Sequence, residues 1–181
     1  MKTTTASITA LAERVQYIED ELALRNLMVR YGLAVDCGDT ATAVACHTGD
    51  AVYVVSAPRS GRDEADSGAT DLTLKGAEAI GNMLDSPLHQ SLLPCCAHTV
   101  GPVTLEISGD EARATGYSRL YNVKESTPHL QRLAINEWRF RRDSGQWRIA
   151  RRESRLVGED QAQALLRQAA WRPRATKTGL G

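Results

Sequence analysis

The sequence predicts an α+β fold: a strongly curved, antiparallel or mixed sheet whose open side is closed by helices, giving a cone. Three observations lead there. The opening stretch to Asp36 carries apolar residues at helical spacing. From Cys95 onward, four segments of strand character follow one another, with turn signals at Ser108-Gly109-Asp110 and Asp143-Ser144-Gly145. Between the two blocks lie one short strand and one helix. Helices first and an antiparallel run afterwards is the order of an α+β domain, not of alternating parallel units. A bent sheet closed by helices leaves a mouth suited to a small molecule.

With 181 residues, the chain is long enough for one domain with a substantial core, here about residues 8–170 with loose ends at 1–7 and 171–181. Hydrophobic residues make up 42% and charged ones 24%, as in ordinary globular proteins. Basic and acidic residues balance at 22 each, so no basic excess points to nucleic acid and no polybasic run to a membrane surface. Apolar runs stay well short of the ~20 residues of a spanning helix. The start, Met1-Lys2-Thr3-Thr4-Thr5 and then a charged amphipathic pattern, is unlike a signal peptide. Cys37, Cys46, Cys95 and Cys96 form no C-x-x-C and read as reduced thiols of a cytoplasmic protein.

Ile8, Leu11, Val15, Ile18 and Leu22 recur at steps of three and four, a narrow helical stripe. Such a seam fits packing on another helix, as in a homodimer or trimer, or equally packing on the chain's own sheet. Leu24, Leu27, Met28, Tyr31, Ala34 and Val35 then form a broader face suited to a core. Cys37-Gly38-Asp39-Thr40 ends this helix near Asp36 and caps the next. A carboxylate at a helix C-terminus opposes the dipole and needs a partner or exposure.

Thr40–His47 reads as a short helix, 48–50 as a turn and Ala51–Val55 as a strand. The Ser-, Gly-, Arg- and Asp-rich stretch 56–71 reads as a loop, a lid or a plain excursion. A third helix runs from Lys75 to about Leu93. Strands follow at Cys95–Ile107 (bent at Gly101-Pro102), Ala112–Val123, Leu130–Arg141 and Gln146–Val157. Asp160 caps a last helix through Ala169. The arginines between Arg139 and Arg155 are expected mostly on a solvated outer face.

Strand parity puts Cys96, His98 and Val100 on one face. On the last strand Arg148, Ala150, Arg152 and Ser154 alternate with Trp147, Ile149 and Arg151. A histidine among small and apolar neighbours points inward and needs a hydrogen-bond partner. Asp36, at the end of the covering helix, is the sensible one. Such a pair is a general-base unit, or a core histidine satisfied structurally. His89 is expected near the pocket mouth, His47 and His129 at the surface. Tyr53, Tyr117, Tyr121, Asn136 and Trp138 are candidate lining residues. No histidine or cysteine spacing supports a metal site, and no glycine-rich loop follows a strand, so no metal or other cofactor is expected.

The helix ending Leu27-Met28-Val29-Arg30-Tyr31-Gly32-Leu33-Ala34-Val35-Asp36, with Asp50-Ala51-Val52-Tyr53, Ala97-His98 with Gly101-Pro102, and Glu137-Trp138 through Gly145-Gln146-Trp147-Arg148-Ile149-Ala150-Arg151-Arg152, resembles the SnoaL-like branch of the nuclear-transport-factor-2-like superfamily. The resemblance runs from Arg14 to about Arg155 and implies a cystatin-like α+β barrel. Within the superfamily it is nearest to scytalone dehydratase, bile-acid 7α-dehydratase and hexachlorocyclohexane dehydrochlorinase. That likeness implies a cofactor-free His–Asp dyad. His98 would be the base and Asp36 its orienting carboxylate. Tyr31 would serve as pocket hydroxyl and Arg152 as anion stabiliser. The expected function is a dehydratase or dehydrohalogenase acting on a small, largely apolar or cyclic substrate. An isomerase or polyketide-cyclase-like enzyme is the first alternative. A non-catalytic subunit, similar to the small subunits of ring-hydroxylating dioxygenases, is the second.

Overall fold

A computed structural model describes residues 2–56 and 71–171, with side chains from residue 7 onward. Residues 57–70, most of the expected loop, and 172–181 of the expected tail lie outside the described residues. In chain order the elements are α1 (Lys2–Asp36), α2 (Thr40–Ala45), β1 (His47–Val55), β2 (Leu72–Lys75), α3 (Ala77–Leu84), α4 (Pro87–Gln90), β3 (Cys96–Ser108), β4 (Glu111–Lys124), β5 (Thr127–Asp143), β6 (Gln146–Leu156) and α5 (Asp160–Ala170). The six strands form one curved, unclosed mixed sheet in the order β2-β1-β6-β5-β4-β3. Among the described strand pairs, only β1 and β6 run parallel. No described helix is long and apolar enough to cross a membrane.

The α+β architecture is the expected one, with local differences. Strand β1 begins at His47, so 48–50 is strand, not turn. Strand β2 was not foreseen: its Leu-Thr-Leu-Lys is short and borders a polar stretch. The third helix divides at Asp85 and Ser86, where the Ser86 hydroxyl accepts from the His89 N–H and Pro87 opens α4. Helix α1 stops as predicted. Gly38 adopts φ 75°, and the Asp39 N–H reaches back to the Ala34 carbonyl at 2.9 Å.

Register shifts curl the sheet. One falls between Val100 and Val103, at Gly101-Pro102. Another leaves Ala150 as the extra residue of β6, because Arg139 faces Arg151 whereas Phe140 faces Ile149. The inner face is filled by Leu24, Leu27, Met28, Tyr31, Ala34 and Val35 of α1, packed on Ala112, Ala114, Trp138, Phe140, Trp147 and Ile149. Asp20 anchors the helix to the β5–β6 hairpin. It accepts from Trp147 Nε1 at 3.0 Å and takes both its oxygens to Arg142 Nη2 at 2.9 Å. The narrow stripe of the helix faces away from its own sheet: Ile8, Leu11, Val15, Ile18 and Leu22 are 46–64% exposed. Packing on the chain's own sheet therefore does not account for the stripe.

On the opposite face α5 lies over β4, β5 and β6. There Glu137 pairs with Arg113 and Arg139, and Glu153 with Arg151 and Arg155. Arg155 also pairs with Asp71. Of the arginines between Arg139 and Arg155, Arg139, Arg151 and Arg155 thus belong to an outer ion-pair ladder, Arg139 and Arg141 staying well exposed, whereas Arg152 is buried on the inner face. Glu137 and Arg155 within the ladder are buried.

Gly116 sits opposite the β3 bulge. A Cβ there would lie 2.7 Å from Val103 Cγ1 and 2.9 Å from the Pro102 carbonyl oxygen. Gly116→Ala should therefore destabilise the fold by about 1–3 kcal/mol, read as a lower urea midpoint at unchanged m-value.

Candidate active site

Asp36 is the last residue of α1, and everything it accepts comes from the first turn of chain in β3. Its Oδ2 takes the backbone N–H of His98 at 2.7 Å, and its Oδ1 takes His98 Nδ1 at 2.5 Å. The Cys96 thiol donates to Oδ1 at 3.6 Å. Burial by itself would raise the Asp36 carboxyl, but the two hydrogen bonds from His98 outweigh it and hold the group below the ordinary carboxylate range. An ionised carboxylate only accepts, so His98 Nδ1 carries the proton and Nε2 is left as the basic nitrogen. Gly32, one turn earlier, lets helix and strand approach. A Cβ there would stand 3.1 Å from the His98 carbonyl oxygen.

His98 lines a cavity of about 130 Å³ between α1 and the concave sheet. Met28, Val55, Val100, Leu120 and Trp138 give it apolar walls, and Tyr31, Tyr53, Arg119, Arg132 and Arg152 its polar points. Arg152 is buried. Its Nε donates to Asn136 Oδ1 at 2.9 Å, and Asn136 Nδ2 donates to Ser118 Oγ at 2.6 Å. The guanidinium carbon lies 4.8 Å from the Tyr53 ring centre and 5.6 Å from those of Tyr31 and Trp138. Among the described residues it has no carboxylate partner. Glu137 and Glu153, its neighbours on the two strands, belong to the outer ladder. Burial pushes the Tyr31 phenol up to about 12, so it remains a hydroxyl at neutral pH.

A sequence profile of SnoaL-like domains matches residues 16–153. The chain belongs to the SnoaL-like domain family. Among solved structures it is similar to an NTF2-like protein with a cystatin-like fold from Novosphingobium aromaticivorans, at 34% identity and TM-score 0.75, over 87% of this chain and 96% of that one. Two further proteins of that organism share the fold. One is assigned provisionally as a scytalone dehydratase, at 16% identity and TM-score 0.59 over 78% of this chain and 86% of that one. The other is assigned provisionally as an aromatic ring hydroxylase, at 22% identity and TM-score 0.53 over 78% and 92%. No curated protein matches the sequence. The SnoaL-like family includes dehydratases and isomerases.

In this SnoaL-like protein the cavity brings together His98, Tyr31, Tyr53, Trp138 and Arg152, with Asp36 behind the histidine and Asn136 behind the arginine. Other candidates stand elsewhere. His89 is not at the mouth: it lies on α4 behind the dyad, its ring 6.0 Å from that of His98, with Nε2 buried and unpartnered among the described residues. Tyr117 is exposed, because Ser118 takes the inward position. Tyr121 pairs with Ala97 and so occupies the face opposite His98. His47 is buried, not at the surface. Its ring meets Tyr31 edge-on at 5.0 Å, Nδ1 donates to the Ala43 carbonyl at 2.9 Å, and burial lowers it to about 4.

Parity on β6 reverses at the Ala150 bulge, so Ile149 and Arg152 both face inward although alternation separates them. Arg119 and Arg132 line the cavity too, beyond the residues that the sequence singles out. For Arg132 the signal was present, since it shares strand parity with Asn136 and Trp138.

Asp36, Cys96 and His98 each place a ligand-type atom within 4.8 Å of the others. Burial and the Asp36 charge push the Cys96 thiol up to about 11. A neutral thiol and a proton-bearing Nδ1, both donating to Asp36, make this a hydrogen-bonded network. A cation would have to displace both protons.

With its carboxyl depressed by folding, Asp36 gives the native state fewer bound protons than the unfolded chain on the acid side. Its stabilisation is present above the ordinary carboxylate range and is lost as pH falls through the native value. Asp36→Asn should cost about 1–3 kcal/mol near neutrality, and the gap to wild type should close towards acid. Urea denaturation from about pH 3 to about 7 checks both the size and the sign.

Proposed function

We propose that this SnoaL-like protein is a cofactor-free lyase of the dehydratase or dehydrohalogenase type, acting on a small, largely apolar or cyclic substrate. The observation that carries the reading is the 2.5 Å contact of Asp36 Oδ1 with His98 Nδ1 beside an apolar cavity. A carboxylate on Nδ1 fixes the tautomer, leaves Nε2 as acceptor and stabilises the imidazolium that forms.

In the proposed step, His98 Nε2 removes a proton from a carbon adjacent to a carbonyl. The C–H electron pair passes into an enolate, and charge develops on the carbonyl oxygen. Arg152, held by Asn136 before any substrate enters, is a preorganised donor for that charge, and the Tyr31 hydroxyl is a second. Collapse of the enolate forms the new C=C bond and expels the group on the next carbon. A departing hydroxide takes the His98 proton and leaves as water. A departing halide leaves as the anion, and His98 returns its proton to solvent. The likeness to a provisional scytalone dehydratase supports the scaffold for such chemistry and no more.

A panel of cyclic β-hydroxy ketones and β-halo ketones, followed by mass spectrometry, tests the reading. Loss of water or halide is expected, while a product of unchanged mass would make the protein an isomerase or cyclase. His98→Ala should lose roughly 10²–10⁴-fold in turnover with the fold intact, and Asp36→Asn should lose less. Arg152→Gln should lower kcat by roughly 10²-fold with a smaller effect on KM. Normal turnover by His98→Ala would overturn the mechanism.

A further inference from the structure

We infer that the cavity takes a substrate bearing a carboxylate, and that Arg132 anchors it one rung across the sheet from His98. The inference takes from the proposed function only that this cavity is the substrate site.

The register sets the geometry. His98 on β3 faces Leu120 on β4, and Leu120 faces Arg132 on β5. Directly opposed residues project to the same face, so His98, Leu120 and Arg132 form one row across three strands, and all three line the cavity. Two strand spacings separate the outer members by about 10 Å at the backbone. An anion on the Arg132 guanidinium would lie over Leu120. The carbon skeleton attached to it would then extend towards Nε2 of His98.

Among the described residues no carboxylate pairs directly with the charge on Arg132. A guanidinium offers five N–H donors. Among the described residues Arg132 uses one, in a 3.4 Å bond from Nη2 to the Ser56 carbonyl. No ion pair is formed with a described carboxylate. Glu159 supports the Arg132 charge through its field and not through a direct ion pair, while its Oε2 accepts from Ser56 Oγ at 2.6 Å and the Leu156 N–H at 3.2 Å. Burial and the neighbouring charge of Arg152 lower Arg132 from its ordinary value, so holding these like charges beside the cavity has a cost that a bound anion would offset.

On the outer face, Arg113, Arg139, Arg151 and Arg155 each have a carboxylate from Glu137 or Glu153. On the inner face Arg132 and Arg152 have none among the described residues. Arg152 is compensated by three aromatic faces and Asn136, a preorganised arrangement suited to transient charge. Arg132 has no such ring contact among the described residues. Its open fork suits the planar, bidentate geometry of a standing carboxylate.

Benzoate and benzamide serve as matched probes, differing in charge and not in bulk. Their binding to the full chain is measured by calorimetry. Wild type should bind benzoate about tenfold or more tightly than benzamide, as for a charge-assisted pair. Arg132→Gln should remove that preference while leaving benzamide affinity within about twofold, and Arg132→Lys should restore part of it. Circular dichroism confirms that each variant is folded. The inference is overturned if wild type does not prefer benzoate, or if folded Arg132→Gln keeps the preference. His98→Ala should retain it. That result separates the two readings: the anion preference can stand while turnover shows that His98 is not the base, and the reverse.

Discussion

The contact on which the rest of the site depends is the one between the end of α1 and the start of β3. A carboxylate as the last residue of a helix is electrostatically misplaced, since it faces the negative end of the dipole. Asp36 is stabilised there by donors from β3: the His98 amide, the His98 ring and the Cys96 thiol. One interaction thus fixes the docking of a helix, the tautomer of a histidine and the closed side of the cavity. Gly32 permits it by removing the side chain that would stand between the helix and the His98 carbonyl. The dyad is therefore also a packing device, and its geometry cannot loosen without moving the helix off the strand.

Curvature decides what else reaches the cavity. A flat sheet with strict alternation would place Arg152 on the face opposite Trp147 and Ile149. The extra residue at Ala150 brings it to the same side, beneath Tyr31, Tyr53 and Trp138. The bulge at Gly101-Pro102 bends β3 just beyond His98, and Gly116 on β4 makes room for it. Such irregularities are devices that re-aim side chains.

The charges are segregated by the same alternation. Outward-facing arginines on β4, β5 and β6 meet glutamates at ladder distance and are covered in part by α5. Of the arginines that line the cavity, Arg152 meets rings and an amide, and Arg132 a backbone carbonyl. A chain with equal numbers of acidic and basic residues thereby acquires an interior that favours negative charge, whether standing on a ligand or developing during reaction.

Local patterning was enough to determine the long helix and its end at Asp36, the four long strands and the α+β class. These rest on periodicity and turn chemistry, which act over a few residues. The pairing of Asp36 with His98 was also legible, because an inward histidine and a helix-terminal carboxylate each demanded a partner. Tertiary structure alone decided the facing of Arg152, the burial of His47, the position of His89 behind the dyad and the place of Arg132 in its row. Each depends on a bulge, a strand register or the path of a short helix. A one-residue change in any of these moves a side chain to the other face, and no local pattern records it.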